Sequence, residues 1–252
     1  MEVGPYKIGV IIQARLGSTR LPNKVLKKIP AGGKETILSV IINSVKNISS
    51  ISDIIVASSE HKQNDILEDY CKKIVVDCFR GDENNVMQRV MKAAEYYNTD
   101  IIVSITGDCP LIDPEIVDQA INLYKNNKAK YVSNCHIRSY PDGMDVQVYS
   151  LNTLKKSYTM TKSLLDREHV TLHIRKNPNI FPALHLIAPR SLFWPNLGLT
   201  LDDKLDFILI KKIFEKFKNK KNNFSLKEII DYLKHKKKLL KINHNVKRTQ
   251  VI

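Results

Sequence analysis

Apolar residues along this chain follow two alternating rhythms. Short continuous apolar runs predict buried strands at 8–12, 53–59, 74–79 and 100–105. Between them, apolar residues recur every three or four positions and predict amphipathic helices. One spans 62–73, with Ile66, Leu67 and Tyr70 on its inner face. A second spans 84–97, with Val86, Val90, Ala93, Ala94 and Tyr97 as its stripe. A third opens at Asp113-Pro114, a capping acid followed by a proline at the first helical position. Repeated strand–helix units with short connections predict an α/β fold with a mostly parallel sheet and right-handed crossovers.

The rhythm changes after residue 130. Strands are expected at 131–135 and 144–149 around a polar loop, then a helix at 163–176, a strand at 181–188 and a short strand at 199–201. Helices at 206–217 and 225–240 complete the pattern. No repeat or low-complexity linker divides the chain. The expectation is one domain over 1–252, with 130–195 as a substrate or dimerisation subregion and 218–252 as a basic helical C-terminus.

The candidate chemistry lies just after the apolar runs. Beyond the first strand come Arg15, Gly17, Ser18, Thr19, Arg20 and Lys24. Small residues let backbone N–H groups approach phosphate oxygens, while arginine forks and a lysine supply charge. Ligands of open α/β sheets bind beyond the carboxyl ends of strands. A polyphosphate site is therefore expected here, although the Gly-Lys-Ser/Thr of a Walker loop and a GxGxxG pattern are both missing. After the fourth strand, Thr106-Gly107-Asp108-Cys109-Pro110-Leu111 offers a glycine for close approach of a ligand. It also offers a carboxylate able to hold Mg²⁺ against phosphates.

Taken together, these blocks resemble the CMP-sugar synthetases (acylneuraminate cytidylyltransferases), and most closely their SpsF-like, spore-coat polysaccharide branch. The stretch Gln13-Ala14-Arg15 and the following Arg20-Leu21-Pro22-Asn23-Lys24 carry the N-terminal signature. The resemblance covers most of 7–215 and implies a Rossmann-like, three-layer αβα nucleotide-diphospho-sugar transferase (GT-A type) fold. It implies CTP as nucleotide, an anionic small-molecule acceptor, Mg²⁺ as cofactor and a homodimer. Arg15, Arg20 and Lys24 match catalytic positions. Gln13, Ala14, Arg15, Gly17, Ser18, Thr19, Arg80, Gly81 and Gly107 match nucleotide-binding ones. Asp108 matches the first metal ligand. In Thr200-Leu201-Asp202, Asp202 takes the place of the second, with Asp203 as its competitor, since either Asp could instead cap the following helix. The Pro-Glu of the usual helix start is absent. Tyr140-Pro141-Asp142-Gly143-Met144-Asp145 and Arg167-Glu168-His169 resemble acceptor-side blocks, which makes Tyr140, Asp142, Asp145, Arg167, Glu168 and His169 substrate-binding candidates. Nothing in the sequence selects the acceptor. A glycosyltransferase of similar fold would need a DxD-like motif, which Gly107-Asp108-Cys109-Pro110 is not. A non-catalytic basic binding protein would not need Arg15, Arg20, Lys24 and Asp108 together.

Composition changes this picture little. The net charge is +14, but residues 211–241 hold 12 lysines against 3 acidic residues and account for most of it. That surplus reads as the solvated outer face of amphipathic helices, so no nucleic-acid partner is expected. No apolar run approaches the roughly 20 residues of a membrane span. Met1–Lys7 lacks a signal-peptide pattern, and the four cysteines show no CxxC pairing. A cytoplasmic protein with reduced thiols and no membrane contact is expected.

Overall fold

The computed structural model describes residues 6–29, 33, 35–220 and 223–248. The strands are β1 (Ile8–Gln13), β2 (Lys28–Ile29), β3 (Glu35–Thr36), β4 (Asp53–Ser59), β5 (Asp77–Gly81), β6 (Ile101–Thr106), β7 (Tyr131–Ser133), β8 (Gln147–Ser150) and β9 (Ala183–His185). The helices are α1 (Ile37–Val45), α2 (Asp65–Lys73), α3 (Val86–Tyr96), α4 (Pro114–Lys125), α5 (Leu151–Met160), α6 (Leu164–Glu168), α7 (Leu172–Lys176), α8 (Lys204–Lys216), α9 (Leu226–Lys234) and α10 (Lys237–Leu240).

Seven strands form one sheet in the order β5-β4-β1-β6-β8-β7-β9. β1 pairs in parallel with β4 on one side and β6 on the other, while β8 runs antiparallel to β6 and β7. The sheet is therefore mostly parallel, as the strand–helix rhythm predicted. Alternation along the strands divides the core in two. Ile8, Val10 and Ile12 of β1 pack in the cluster with α1, α4, α8 and α9. Ile11 packs in the other, with α3 and Leu154 of α5. The result is a three-layer αβα arrangement. The chain leaves β1 toward β4 and β5, then returns through α3 to place β6 on the opposite side of β1. That reversal opens a crevice between the carboxyl ends of β1 and β6, the usual ligand position in such sheets.

Several expected elements differ. Ile66 is exposed, and the inner face of α2 is built by Leu67 and Cys71, with Tyr70 partly buried. The helix expected over 163–176 is broken into α6 and α7, because Val170 adopts a left-handed backbone with φ 46°. The one expected over 225–240 splits into α9 and α10. Residues 199–201 form no strand, although Leu199 and Leu201 are fully buried. Two helices arose outside the expected elements. α1 is a nearly unbroken apolar run whose length and spacing do not distinguish a buried helix from a strand. It is started by a capping box between Thr36 and Ser39. α5 starts on the Ser150 side chain, which accepts from Thr153 N at 3.1 Å. Asp113 caps two helices. It accepts from Glu115 N of α4 at 2.9 Å and from Leu226 N of α9 at 2.7 Å, which ties the Lys-rich C-terminal helices to the sheet.

Candidate active site

The loops after β1 and β6 meet at Gly107. Its N–H donates to Gln13 O at 2.8 Å, and a Cβ there would lie 3.0 Å from both Ala14 Cβ and Gln13 O. Gly107 is thus required for close approach of one loop to the other. The same packing keeps Ala14 small and buried. With the loops seated this way, Lys24 reaches across. Its Nζ donates to Asp108 Oδ2 at 2.7 Å, to Asp202 Oδ1 at 3.1 Å and to Leu201 O at 3.0 Å. Three residues from three remote blocks therefore converge on one point. Arg20 approaches the same cluster, with Nη2 3.3 Å from Asp202 Oδ2.

The electrostatics of this cluster are reciprocal. Burial works against both charges, but the Asp108 and Asp202 carboxylates outweigh it and raise the Lys24 ammonium above its ordinary value. For Asp108, burial is likewise outweighed by Lys24 and by a hydrogen bond from Thr106 Oγ1 at 2.6 Å, which hold its carboxyl below the usual range. Asp202 and Asp203 take different tasks. The Asp203 side chain accepts from Leu205 N at 2.7 Å and caps α8. Asp202 faces Lys24, and its own N–H is held by Asp206 Oδ2 at 3.0 Å. Asp108 and Asp202 are both within hydrogen-bond reach of a single cationic centre, the Lys24 ammonium. A pair of hard carboxylate oxygens that leaves room for phosphate oxygens and water suits Mg²⁺. Among the described residues no third acidic, histidine or cysteine ligand joins them.

Beyond this cluster opens a cleft of about 980 Å³, lined among others by Gln13, Arg20, Asp142, Asp145, Glu168, His169 and Asp202. Its far wall is the loop between β7 and β8. Buried Asn134 clips that loop, donating to Met144 O at 2.6 Å and accepting from Val146 N at 2.9 Å. Gly143 has φ 104°, and a Cβ there would lie 2.6 Å from Leu199 C and Thr200 N. The loop thereby presses onto the segment leading to Asp202, and Asp142 is locked to it by N–H to Leu197 O at 2.9 Å and C=O from Leu199 N at 2.7 Å. Arg138 grips Asp145 with two bonds of 2.9 Å and lies 3.5 Å from Asp142. Burial and the neighbouring Asp145 push the Asp142 carboxyl up to about 6, only partly countered by Arg138.

The remaining candidates divide. Arg15, Gly17 and Thr19 are exposed and Ser18 is half-buried on the loop after β1, with Arg15 Nη1 2.9 Å from Glu83 Oε1. Asn64 supports this loop from below, accepting from Leu16 N at 2.8 Å. Arg80 is turned away and engaged with Ser59 O at 2.6 Å, Glu68 Oε2 at 2.7 Å and Asp65 Oδ1 at 2.9 Å, so it fastens α2 to β5. Gly81 makes room for Arg89 and Phe79, whose side chains lie 3.0 and 3.1 Å from where its Cβ would be. Tyr140 is core, 1% exposed. Arg167 stacks on the Tyr158 ring at 3.3 Å and donates to Thr161 O at 2.7 Å, away from the cleft wall formed by Glu168 and His169. These cations resembled ligand-binding residues in sequence because a side chain engaged with nearby carbonyls reads the same as a free one. Arg138, Asn243, Arg248 and His136, which stacks on His185 at 5.1 Å, also line the cleft and were not among the candidates named from sequence. Only Arg138 carried a signal, its nearness to Asp142 and Asp145.

An αβα sheet with cationic and acidic groups gathered at its β1/β6 crevice defines a nucleotide-binding transferase. The comparisons with known proteins narrow the class. The family model of cytidylyltransferases matches residues 9–246, so the chain belongs to that family and is a nucleotidyltransferase. The spore coat polysaccharide biosynthesis protein SpsF of Bacillus subtilis is 34% identical over 212 residues, 82% of this chain and 85% of that one. An uncharacterized protein of Methanocaldococcus jannaschii is 36% identical over 242 residues, 96% of each chain. Among solved structures, a cytidylyltransferase from Leptospira borgpetersenii serovar Hardjo-bovis superposes with a TM-score of 0.86 at 31% identity, over 97% of this chain and all of that one.

Proposed function

We propose that this enzyme transfers the cytidylyl group of CTP to an oxygen of an anionic small molecule, a sugar acid or a phosphorylated or phosphonate-bearing compound, giving its CMP or CDP derivative and releasing pyrophosphate. The observation that carries this reading is the convergence of Lys24 on Asp108 and Asp202 at 2.7 and 3.1 Å, at the switch point of the sheet. The acceptor oxygen forms a bond to the α-phosphorus while the bond to the bridging oxygen of the β-phosphate breaks. Little covalent chemistry falls to the protein. Positioning and charge neutralisation supply most of the acceleration.

The residues divide the work along the cleft. Arg15 and Arg20, with the small residues 17–19, would hold the β- and γ-phosphates and neutralise the departing pyrophosphate. Lys24 would bring its charge to the phosphates from between the two carboxylates. Asp108 and Asp202 would hold Mg²⁺, which when bound supplies Lewis-acid neutralisation of phosphate charge. Asp142, Asp145, Glu168 and His169 line the cleft and would form its acceptor end. The kinship with SpsF supports a place in polysaccharide biosynthesis. The test is a pyrophosphate-release screen with each of the four nucleoside triphosphates, Mg²⁺, and a panel of 3-deoxy-2-keto sugar acids, polyol phosphates and phosphonates. Release with CTP and one acceptor class is expected. Release with another nucleotide in preference to CTP, or with none, overturns the reading.

A further inference from the structure

One strand of chain far from every motif above also enters the cleft. Asn243 donates Nδ2 to Gly198 O at 3.0 Å and to Asp206 Oδ1 at 2.8 Å. Arg20 donates to Lys247 O at 3.1 Å. Arg248 donates Nη2 to Asp206 Oδ1 at 2.8 Å, and its guanidinium lies against Gly198, where no side chain would fit. Asp206 is fully buried, and its other oxygen receives Asp202 N and Asp203 N at 3.0 and 3.1 Å. One carboxylate thus joins residues 243–248 to the turn that carries Asp202.

Anchoring Asp206 occupies only one end of the arginine. The other end, Nη1, is buried, has no hydrogen bond, and faces Asp142 Oδ2 at 3.7 Å. Arg138 stands on the opposite side of the same carboxylate at 3.5 Å. Two guanidinium groups therefore flank one cleft carboxylate, and one of them keeps an unmet buried donor. Such a donor is unfavourable unless a ligand satisfies it. We propose that Arg248, set across Asp142 from Arg138 in the cleft wall, binds the anionic group of the acceptor while Asp142 takes an acceptor hydroxyl. A molecule with a carboxylate or phosphate next to a hydroxyl fits both. Arginine suits the task because its planar fork can hold Asp206 and an anion at once, which a lysine ammonium cannot do in the same geometry. Arg248 lies beyond the span matched by the family model, which ends at residue 246.

The inference rests on the cytidylyltransferase reading, and one experiment separates the two. Wild type, Arg248→Ala and Arg248→Lys are compared with the acceptor that the pyrophosphate-release screen selects, at saturating CTP. Calorimetric titration with CTP alone and thermal unfolding accompany the rates. Loss of one charge-assisted contact should raise the acceptor KM by about tenfold or more in Arg248→Ala, with kcat and the CTP Kd changed by less than about threefold. Arg248→Lys should recover the unfolding temperature, since it still reaches Asp206, while its acceptor KM stays raised. An unchanged acceptor KM in Arg248→Ala overturns the inference. So does a lysine variant that recovers both properties, which marks a purely structural residue. A parallel loss of CTP affinity also overturns it, by showing that the segment acts through Arg20. A wild type that releases no pyrophosphate from CTP takes down the functional reading, and the inference with it.

Discussion

Lys24 holds together two carboxylates that would otherwise repel. Its side chain is 14% exposed, so this is a semi-buried ion cluster rather than a surface pair. Lys24→Met should lower stability by about 1–3 kcal/mol, because Asp108 and Asp202 would then face each other without a counter-charge. A divalent cation can take the ammonium's place, so millimolar Mg²⁺ should raise the unfolding temperature of Lys24→Met more than that of wild type. Equal shifts would refute the pairing of the two carboxylates on one ion. Asp142 carries the other residue-scale prediction. Its carboxyl stands at about 6, pushed up by burial and Asp145. An acid whose native value lies above its unfolded value of about 3.9 binds its proton more tightly when folded. Its contribution is favourable below about pH 4 and is lost as pH rises through about 6. Asp142→Asn removes that titration, so its unfolding temperature relative to wild type should climb between about pH 4 and about pH 7. A flat difference would show that Asp142 is not the titrating group.

Helix α8 is preceded by two adjacent acids that do different things because only one can occupy the N-cap. Asp203→Ala should cost about 1 kcal/mol through the lost cap and leave turnover nearly intact. Asp203→Asn, itself a good cap, should be milder still. Asp202→Asn should keep its unfolding temperature and lose pyrophosphate release. An active Asp202→Asn beside a dead Asp203→Asn would shift the site by one residue. The loop between β7 and β8 rests on Gly143 in the same way that α8 rests on its cap. Gly143→Ala combines an unfavourable positive φ with contact against the Leu199–Thr200 backbone. It should destabilise by about 1–3 kcal/mol and raise the acceptor KM, because Asp142 moves with the loop. CTP affinity, read by calorimetry, should hold, and its loss would tie the loop to the nucleotide instead.

At the scale of the molecule, the segment 130–195 leaves Ile137, Ile187 and Phe193 about half exposed, while the neighbouring Trp194 is partly buried against the core. A second copy could cover these residues, since closed two-fold dimers are the commonest soluble assembly. Light scattering at micromolar concentration should therefore report about twice the 28.9 kDa of one chain. A single-chain mass would assign those side chains to the monomer surface. No helix among the described residues is long and apolar enough to cross a membrane.

The parallel strand–helix architecture was legible from one dimension, because strand and helix periods differ and each central strand is an uninterrupted apolar run. The blocks after β1 and β6 were legible for the same reason: chemistry at the carboxyl ends of parallel strands is delivered to one crevice whatever its separation in sequence. Lys24 and Asp108 could accordingly be brought together before their contact was seen, whereas Asp202 follows no strand and joined them in sequence only through the family resemblance. Tertiary structure alone decided which charges were available. Arg80 and Arg167 are engaged with nearby carbonyls and acids, Gly107 serves loop packing, and Tyr140 fills the core. It also decided where the helices break, since Val170 in a left-handed conformation leaves no periodic signature. Asn243 and Arg248 reach Asp206 across roughly 40 residues of chain, as the separations of 37 and 42 residues show. Such a contact is selected by packing of the whole fold, and no local pattern of residue types records it.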